Sequence, residues 1–227
     1  MPLTQIRLLD STTALGQWEL TEPEAALLEQ APGWLQPPGI PAHLTHDRRR
    51  REWLAGRILV EALLVQLTGS GTAATGGVVT DAFGRPRLTD DRGAVSLSHG
   101  AENVVALVAL GPARRAGLDL EPVRTKALTL APRFLSAEEL PAIGGELSRA
   151  SLAWGLKEAL YKAYGRRQLD FRQHLRLNLH DWPPPPAALA PTGTVAGRIT
   201  QPETGRAWHH TLHYEACRQG WLAYCVT

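Results

Sequence analysis

Apolar positions along the chain follow two rhythms. Between Asp47 and about Leu67, the residues Leu54, Ile58, Ala62 and Val65 recur at the three-to-four spacing of a buried helical stripe. A second long helix is expected over Leu147–Tyr164, with shorter ones near Glu24–Gln30, Leu128–Arg133 and Ala137–Ala142. Short apolar runs bounded by turn residues predict strands. In the first half these are 3–9, Val78–Thr80, Arg87–Leu88, Ala94–Leu97 and Asn103–Leu110. In the second half they are Ala116–Glu121, Phe171–Leu179, Thr194–Thr200, Trp208–Ala216 and Trp221–Val226. The run VVALVAL, continuous and bounded by turns, suits a central buried strand.

Proline and glycine punctuate these elements. Residues 31–44 read as an irregular connection, and WPPPPAALAP at 182–191 as an exposed, polyproline-like loop. The segment 69–77, GSGTAATGG, lacks the Gly-Lys-Ser/Thr ending of a phosphate loop and reads as a linker. Each half therefore runs strand, helices, then a meander closing on an apolar strand, with Gly111-Pro112 as the boundary. The expectation is an α/β (α+β) chain of two similar halves, 1–111 and 112–227, each a small sheet packed with helices.

Composition narrows the function classes. A chain of 227 residues is long enough for one large core or two small ones. With 24 basic against 22 acidic residues, the net charge of +2 does not advertise a nucleic-acid binder. No uncharged apolar run approaches the ~20 residues a membrane helix needs, and the N-terminus MPLTQIRLLD has no secretory pattern. Cys217 and Cys225 are too few for a disulfide scaffold and read as buried small hydrophobes, so a cytoplasmic protein is expected. Three of the basic residues are Lys, and two of those, Lys157 and Lys162, fall in WGLKEALYKAYG. A compact ammonium is chemically distinct from a guanidinium, so that cluster marks a candidate site.

Candidate chemistry begins with Asp119 and Glu121 in AGLDLEPV. On a strand, positions i and i+2 share a face, so the two acids project together, opposite Leu118 and Leu120. Such a pair is either a solvated edge strand or a ligand set for a hard divalent ion, most simply Mg²⁺. In the following helix, Trp154, Glu158 and Lys162 are spaced by four and share one face, with Tyr161 beside them. Glu158 and Lys162 are either an ordinary helix-stabilising pair or a third carboxylate beside a fixed cation. The second alternative is the equipment of phosphoryl-group transfer: metal on a diphosphate, carboxylate as proton acceptor, ammonium over the leaving oxygens.

Other residues invite weaker readings. Ser98 and His99 in VSLSHG lie at a strand-to-turn junction without a G-x-S-x-G elbow, which suits phosphate binding better than hydrolysis. Arg85 in the turn FGRP is a candidate phosphate contact beside them. DRRRRE (47–52) places four arginines at a helix start, against the macrodipole. It reads as a solvated charge run or an anion-binding edge extending to Arg57. His209, His210 and His213 have no zinc spacing and read as a surface strand.

Taken together, GRP, SLSHG, GLDLE, FLSAEE and WGLKEALYKAYG, in that order over about residues 46–165, resemble the Sfp-like 4′-phosphopantetheinyl transferases. The resemblance implies transfer of the phosphopantetheine arm of coenzyme A to a serine of an apo acyl or peptidyl carrier protein, releasing adenosine 3′,5′-bisphosphate. It implies a pseudo-two-fold pair of α/β halves with coenzyme A between them, working as a monomer, with neither nucleic acid nor membrane as partner. Asp119, Glu121 and Glu158 match the family's metal-binding acids for Mg²⁺ (or Mn²⁺), and Glu158 its favoured general base. Lys162 matches the lysine that contacts the diphosphate. Ser98 and His99 match residues at the nucleotide end, with His99 near the 3′-phosphate. Arg85 stands where the family has a Lys, and Lys157 matches a motif lysine grouped with the coenzyme A contacts. Some relatives carry basic residues upstream of the Arg-rich helix; here PPGIPAHL has none, so Arg48–Arg51, Arg51 in particular, or Arg57 is expected to serve. Two alternatives stay open at this point. One is another Mg²⁺-dependent diphosphate-cleaving hydrolase, and the other is a non-catalytic anion-binding module built on the Arg run.

Overall fold

Strand pairing among the described residues gives two larger antiparallel sheets, each packed against one long helix, and a separate two-stranded hairpin. The computed structural model describes residues 3–35, 39–69, 77–100, 102–166, 169–218 and 220–227. The chain divides into two units, Met1–Arg115 and Ala116–Thr227.

In the first unit, β1 (Leu3–Leu8), β2 (Thr13–Glu19), β5 (Gly93–Gly100) and β6 (Asn103–Leu110) form a sheet of order β1-β2-β6-β5. A short helix α1 (Glu24–Glu29), a 3-10 turn at Gly33–Leu35, and the hairpin β3 (Val78–Thr80) with β4 (Pro86–Leu88) surround it. The long helix α2 (Asp47–Thr68) lies on the sheet and ends at Gly69, whose left-handed φ of +68° suits a residue without Cβ. Ala14, Trp18 and Leu20 pack with Leu54, Ile58, Leu59 and Leu63 of α2 in one apolar core. Gly16 makes the close approach possible, since a Cβ there would come 2.7 Å from Leu59 Cδ1.

The second unit holds β7 (Ala116–Pro122), β8 (Leu175–Asn178), β9 (Thr192–Thr200), β10 (Ala207–Cys217) and β11 (Gly220–Val226), in the order β7-β11-β10-β9-β8. Helices α3 (Thr125–Phe134) and α4 (Leu140–Ile143) precede α5 (Leu147–Tyr164), the helix that packs across this sheet. In both units the strand leading toward the long helix pairs with the unit's last strand, and that one with the strand before it. The two series are β2-β6-β5 and β7-β11-β10. The α/β architecture expected from the sequence is thus present, and no helix among the described residues is long and apolar enough to cross a membrane.

Several local expectations need correction. The strand β2 was absent from the pattern, because TALGQWE mixes Gly, Gln and apolar residues without alternation; it is nonetheless paired on both edges. The strand expected at Phe171–Leu179 starts only at Leu175, since the Asp170 carboxylate accepts the backbone N–H groups of Arg172 and Gln173 and holds a turn there. The helix expected at Ala137–Ala142 is the shorter α4, and β5 extends through Ser98 and His99 to Gly100. The proline-rich stretch is an exposed loop as expected, except that Trp182 at its start is buried, and it is tied to the core by the Arg149 guanidinium, which donates to the carbonyls of Pro183 and Ala187, and of Ala142, at 2.6–2.7 Å. Of the two expected loops, residues 36–38 and 70–76 lie outside the described residues.

Candidate active site

The face of β7 that carries Gly117, Asp119 and Glu121 is turned toward α5. A Cβ on Gly117 would sit 1.8 Å from the Ala159 carbonyl oxygen, and one on Gly155 would lie 3.3 Å from Glu121 Cβ and 3.7 Å from Asp119 Oδ2. Strand and helix meet through two glycines, and the acids are buried as a result. This removes the solvated-edge reading of the pair.

Each acid has a defined neighbour. Lys162 Nζ donates to Asp119 Oδ1 at 2.8 Å and to the Leu118 carbonyl at 2.8 Å, so the ammonium is anchored at the base of β7. Arg124 grips Glu121 with both arms of its fork, Nε at 2.8 Å and Nη2 at 3.0 Å. Burial pushes the Glu121 carboxyl above its usual range, opposed by Arg124 and reinforced by Asp119. Glu158 is pushed up to about 7, first by burial and then by the charge of Asp119 and Glu121, with Lys162 acting the other way. These influences place Asp119, Glu121, Glu158 and Lys162 in one electrostatic neighbourhood. A cavity of about 70 Å³ opens beside it, lined by Glu121, Arg124, Lys126, Ala127, Leu130 and Trp154.

The donor set, in which Asp119 and Glu121 raise the proton affinity of Glu158, is the chemistry a hard divalent cation satisfies. As the side chains stand, Lys162 and Arg124 supply that positive charge instead. Among the described residues no three acid, His or Cys side chains converge to hold an ion in this arrangement.

Lys157, expected among the ligand contacts, is placed elsewhere. It is fully buried, and its Nζ donates to Glu139 Oε2 and to the carbonyls of Phe134, Phe171 and Leu175 at 2.7–3.0 Å. Burial pulls its ammonium down to about 8, and the Glu139 charge opposes this. Glu139 also accepts the backbone N–H groups of Ser136 and Leu177. Trp154 joins the same structure: its ring meets Phe134 edge-on at 4.9 Å and stacks on Phe171 at 5.3 Å. Within WGLKEALYKAY, Trp154 and Lys157 therefore fasten the helix, while Glu158 and Lys162 face the acids of β7.

The first unit holds a separate cluster. His99 points to the α2 side of β5, where Arg49 Nη1 lies 3.2 and 3.3 Å from its two ring nitrogens. Ser98, the adjacent strand residue, faces the opposite side of the strand and is buried. Arg51 is engaged by Asp47 at 2.8 Å and by the Glu22 carbonyl. Arg85 pairs with Asp81 at 3.3 Å within its own hairpin. Arg57 is buried with its guanidinium 3.6 Å from the Trp53 ring centroid, donates to the Trp53 carbonyl, and is pulled down to about 10 by burial. The alternation of β10 leaves His209 and His213 exposed and His210 buried, and both cysteines are free thiols.

Arg49 and Glu52, about 50 positions upstream on α2, are brought to His99 by the fold. The Arg run was the only signal for them.

Comparisons with known proteins agree with this geometry. The chain has no match among curated proteins. The model of the 4′-phosphopantetheinyl transferase superfamily matches residues 115–225, which contain β7 and α5 and hence all three acids and Lys162. The model of the 4′-phosphopantetheinyl transferase N-terminal domain matches residues 41–109, which contain α2 and the His99 strand. The hydrolase and the non-catalytic module give way to this assignment, and together the two matches span most of the 227 residues. The chain belongs to the 4′-phosphopantetheinyl transferase superfamily and is a 4′-phosphopantetheinyl transferase.

Proposed function

We propose that the enzyme transfers the 4′-phosphopantetheine arm of coenzyme A to a serine hydroxyl of an apo acyl or peptidyl carrier protein, as an Sfp-like member of the superfamily. The observation that carries this reading is the meeting of Asp119, Glu121, Glu158 and Lys162 between β7 and α5, three carboxylates and an ammonium in one neighbourhood. Glu158, whose proton affinity burial and the two neighbouring acids raise, is the carboxylate suited to take a proton from an incoming hydroxyl. In the step, the serine oxygen forms a bond to the phosphorus next to the pantetheine arm. The bond from that phosphorus to the bridging oxygen of the diphosphate breaks, and adenosine 3′,5′-bisphosphate leaves. Glu158 receives the serine proton. Lys162, fixed by Asp119 and the Leu118 carbonyl, presents its remaining N–H toward the leaving oxygens.

Asp119, Glu121 and Glu158 would hold Mg²⁺ or Mn²⁺, and a cation bound there supplies charge neutralisation of the diphosphate. The nucleotide end falls to the first unit. Its exposed guanidinium groups at Arg48 and Arg49, with the His99 imidazole beside them, suit a phosphate, and the buried Arg57 guanidinium, which no carboxylate neutralises among the described residues, is a further anion-seeking group. Two units of like topology within one chain support a monomer, and two free thiols support a reducing, cytoplasmic setting.

The test is the intact mass of an apo carrier protein incubated with the enzyme, coenzyme A and Mg²⁺. A gain of one phosphopantetheine arm, lost with EDTA or with Glu158→Gln, is expected. Cleaved coenzyme A with an unmodified carrier would replace transfer by hydrolysis.

A further inference from the structure

Glu52 is a carboxylate buried to 4% exposure in the second turn of α2, directly after four arginines. A buried carboxylate needs partners, and this one has three. Arg48 Nε donates to its Oε1 at 2.9 Å, Arg49 Nη1 donates to its Oε2 at 3.1 Å, and His99 Nδ1 lies 3.3 Å from the same Oε2. The side chains gathered this way stay open to solvent, at 55% for Arg48, 56% for Arg49 and 42% for His99.

The neighbouring arginines are arranged differently. Arg50 has Glu24 and Arg51 has Asp47, one acid for one guanidinium. At Glu52, among the described residues, a single acid serves two guanidinium groups and borders an imidazole, so the two guanidinium charges outnumber the one carboxylate. Placing that charge in the first turn opposes the helix macrodipole, so helix stability does not explain it. Arginine side chains also lose rotamer entropy when they bind a ligand; a buried acid that already fixes them removes part of that cost.

We propose that Glu52 is a positioning residue: it ties Arg48, Arg49 and His99 into one preformed cluster that receives a phosphate monoester dianion. Resting on the transferase reading, that dianion is the 3′-phosphate of coenzyme A. The sign of the effect makes the idea sharp. By charge alone, a carboxylate beneath an anion site repels the anion, and neutralising it would tighten binding. If its role is placement, neutralising it loosens binding.

Calorimetric titration of the full-length protein with coenzyme A and with 3′-dephospho-coenzyme A separates these cases. The wild type is expected to bind coenzyme A more tightly than the dephospho form. Glu52→Gln is expected to lose about tenfold in affinity for coenzyme A, the scale of one charge-assisted hydrogen bond, with the dephospho form unchanged. Coenzyme A binding that is unchanged or tighter in Glu52→Gln overturns the proposal. So does an equal loss for both ligands, since that would be a defect of the helix. Should Glu52→Gln fail to fold, Arg49→Lys keeps the charge at an exposed position but loses the planar fork, and the same collapse of discrimination is expected. Undiminished discrimination in Arg49→Lys overturns the proposal as well. A wild type that does not distinguish the two ligands defeats the 3′-phosphate assignment itself, whereas arm transfer is judged separately by carrier mass.

Discussion

Gly117 of β7 and Ala159 of α5 are in backbone contact: a methyl group on Gly117 would sit 1.8 Å from the Ala159 carbonyl oxygen. Neither the helix backbone nor the paired strand has a flexible end to move aside. Gly117→Ala is therefore expected to push α5 away from β7, costing about 1–3 kcal/mol or more of stability. Because Glu158 and Asp119 lie on either side of that contact, transfer activity is expected to fall by more than the loss of folded protein accounts for. Thermal melting and carrier-mass assays on the same preparation check this. Full specific activity in the folded fraction would show that the spacing is not critical.

The raised Glu158 carboxyl has a consequence for stability. Its ordinary value is 4.5 and its folded value about 7. Between these pH values the unfolded chain has released the proton that the folded chain keeps. Stability from this group is thus present at low pH and lost as pH rises through about 7. In metal-free buffer, Glu158→Gln is expected to melt higher than the wild type at pH 8, by on the order of 1–3 kcal/mol of stability, with the difference shrinking toward pH 5. The same variant is expected to be inactive. A variant less stable than the wild type at pH 8 would mean that Glu158 is not crowded by its neighbours.

Lys157 and Lys162 predict opposite phenotypes. Removing Lys157 strands Glu139 and three carbonyls in a dry interior, and Lys157→Ala is expected to cost about 3–5 kcal/mol. Lys162 is partly exposed, and Lys162→Ala is expected to leave melting within about 1 kcal/mol of wild type while reducing kcat. Parallel melts and kinetics decide; a stable, inactive Lys157→Ala would move that ammonium into the chemistry.

Asp119→Asn is expected to abolish carrier modification with the fold kept, because it removes charge from both the cation site and Lys162. Chelation by EDTA is expected to do the same to the wild type, and Mg²⁺ or Mn²⁺ to restore it. Activity persisting through exhaustive chelation would remove the metal role of the three acids.

Much of this arrangement is readable from periodicity, and the unread part has identifiable causes. The period of two along AGLDLEP places Asp119 and Glu121 on one face, and the stripe of α5 places Glu158 and Lys162 together. That the shared face is covered, not solvated, depends on Gly117 and Gly155, whose meaning appears only once strand and helix are docked. Lys157 and Lys162 look alike in a string of letters. At 100° per residue they stand about 140° apart around the helix, so one enters the core and the other meets Asp119. Arg49 and Glu52 reach His99 by tertiary contact alone, and no local pattern encodes a pairing 50 residues apart. The strand β2 escaped notice because a central strand flanked on both sides does not need alternation.

That strand also illuminates its counterpart. On β2 the helix-facing series is Gly16 then Trp18, and the indole lies in the apolar core with α2; on β7 it is Gly117 then Asp119 and Glu121. Along this one edge, α5 rests on carboxylates where α2 rests on an indole. Two like architectures have thus divided their labour, one keeping cohesion and the other giving some of it up for reactivity. Any cation that settles the charge beneath α5 acts as a missing piece of the core, so cation binding and the stability of the second unit are thermodynamically linked.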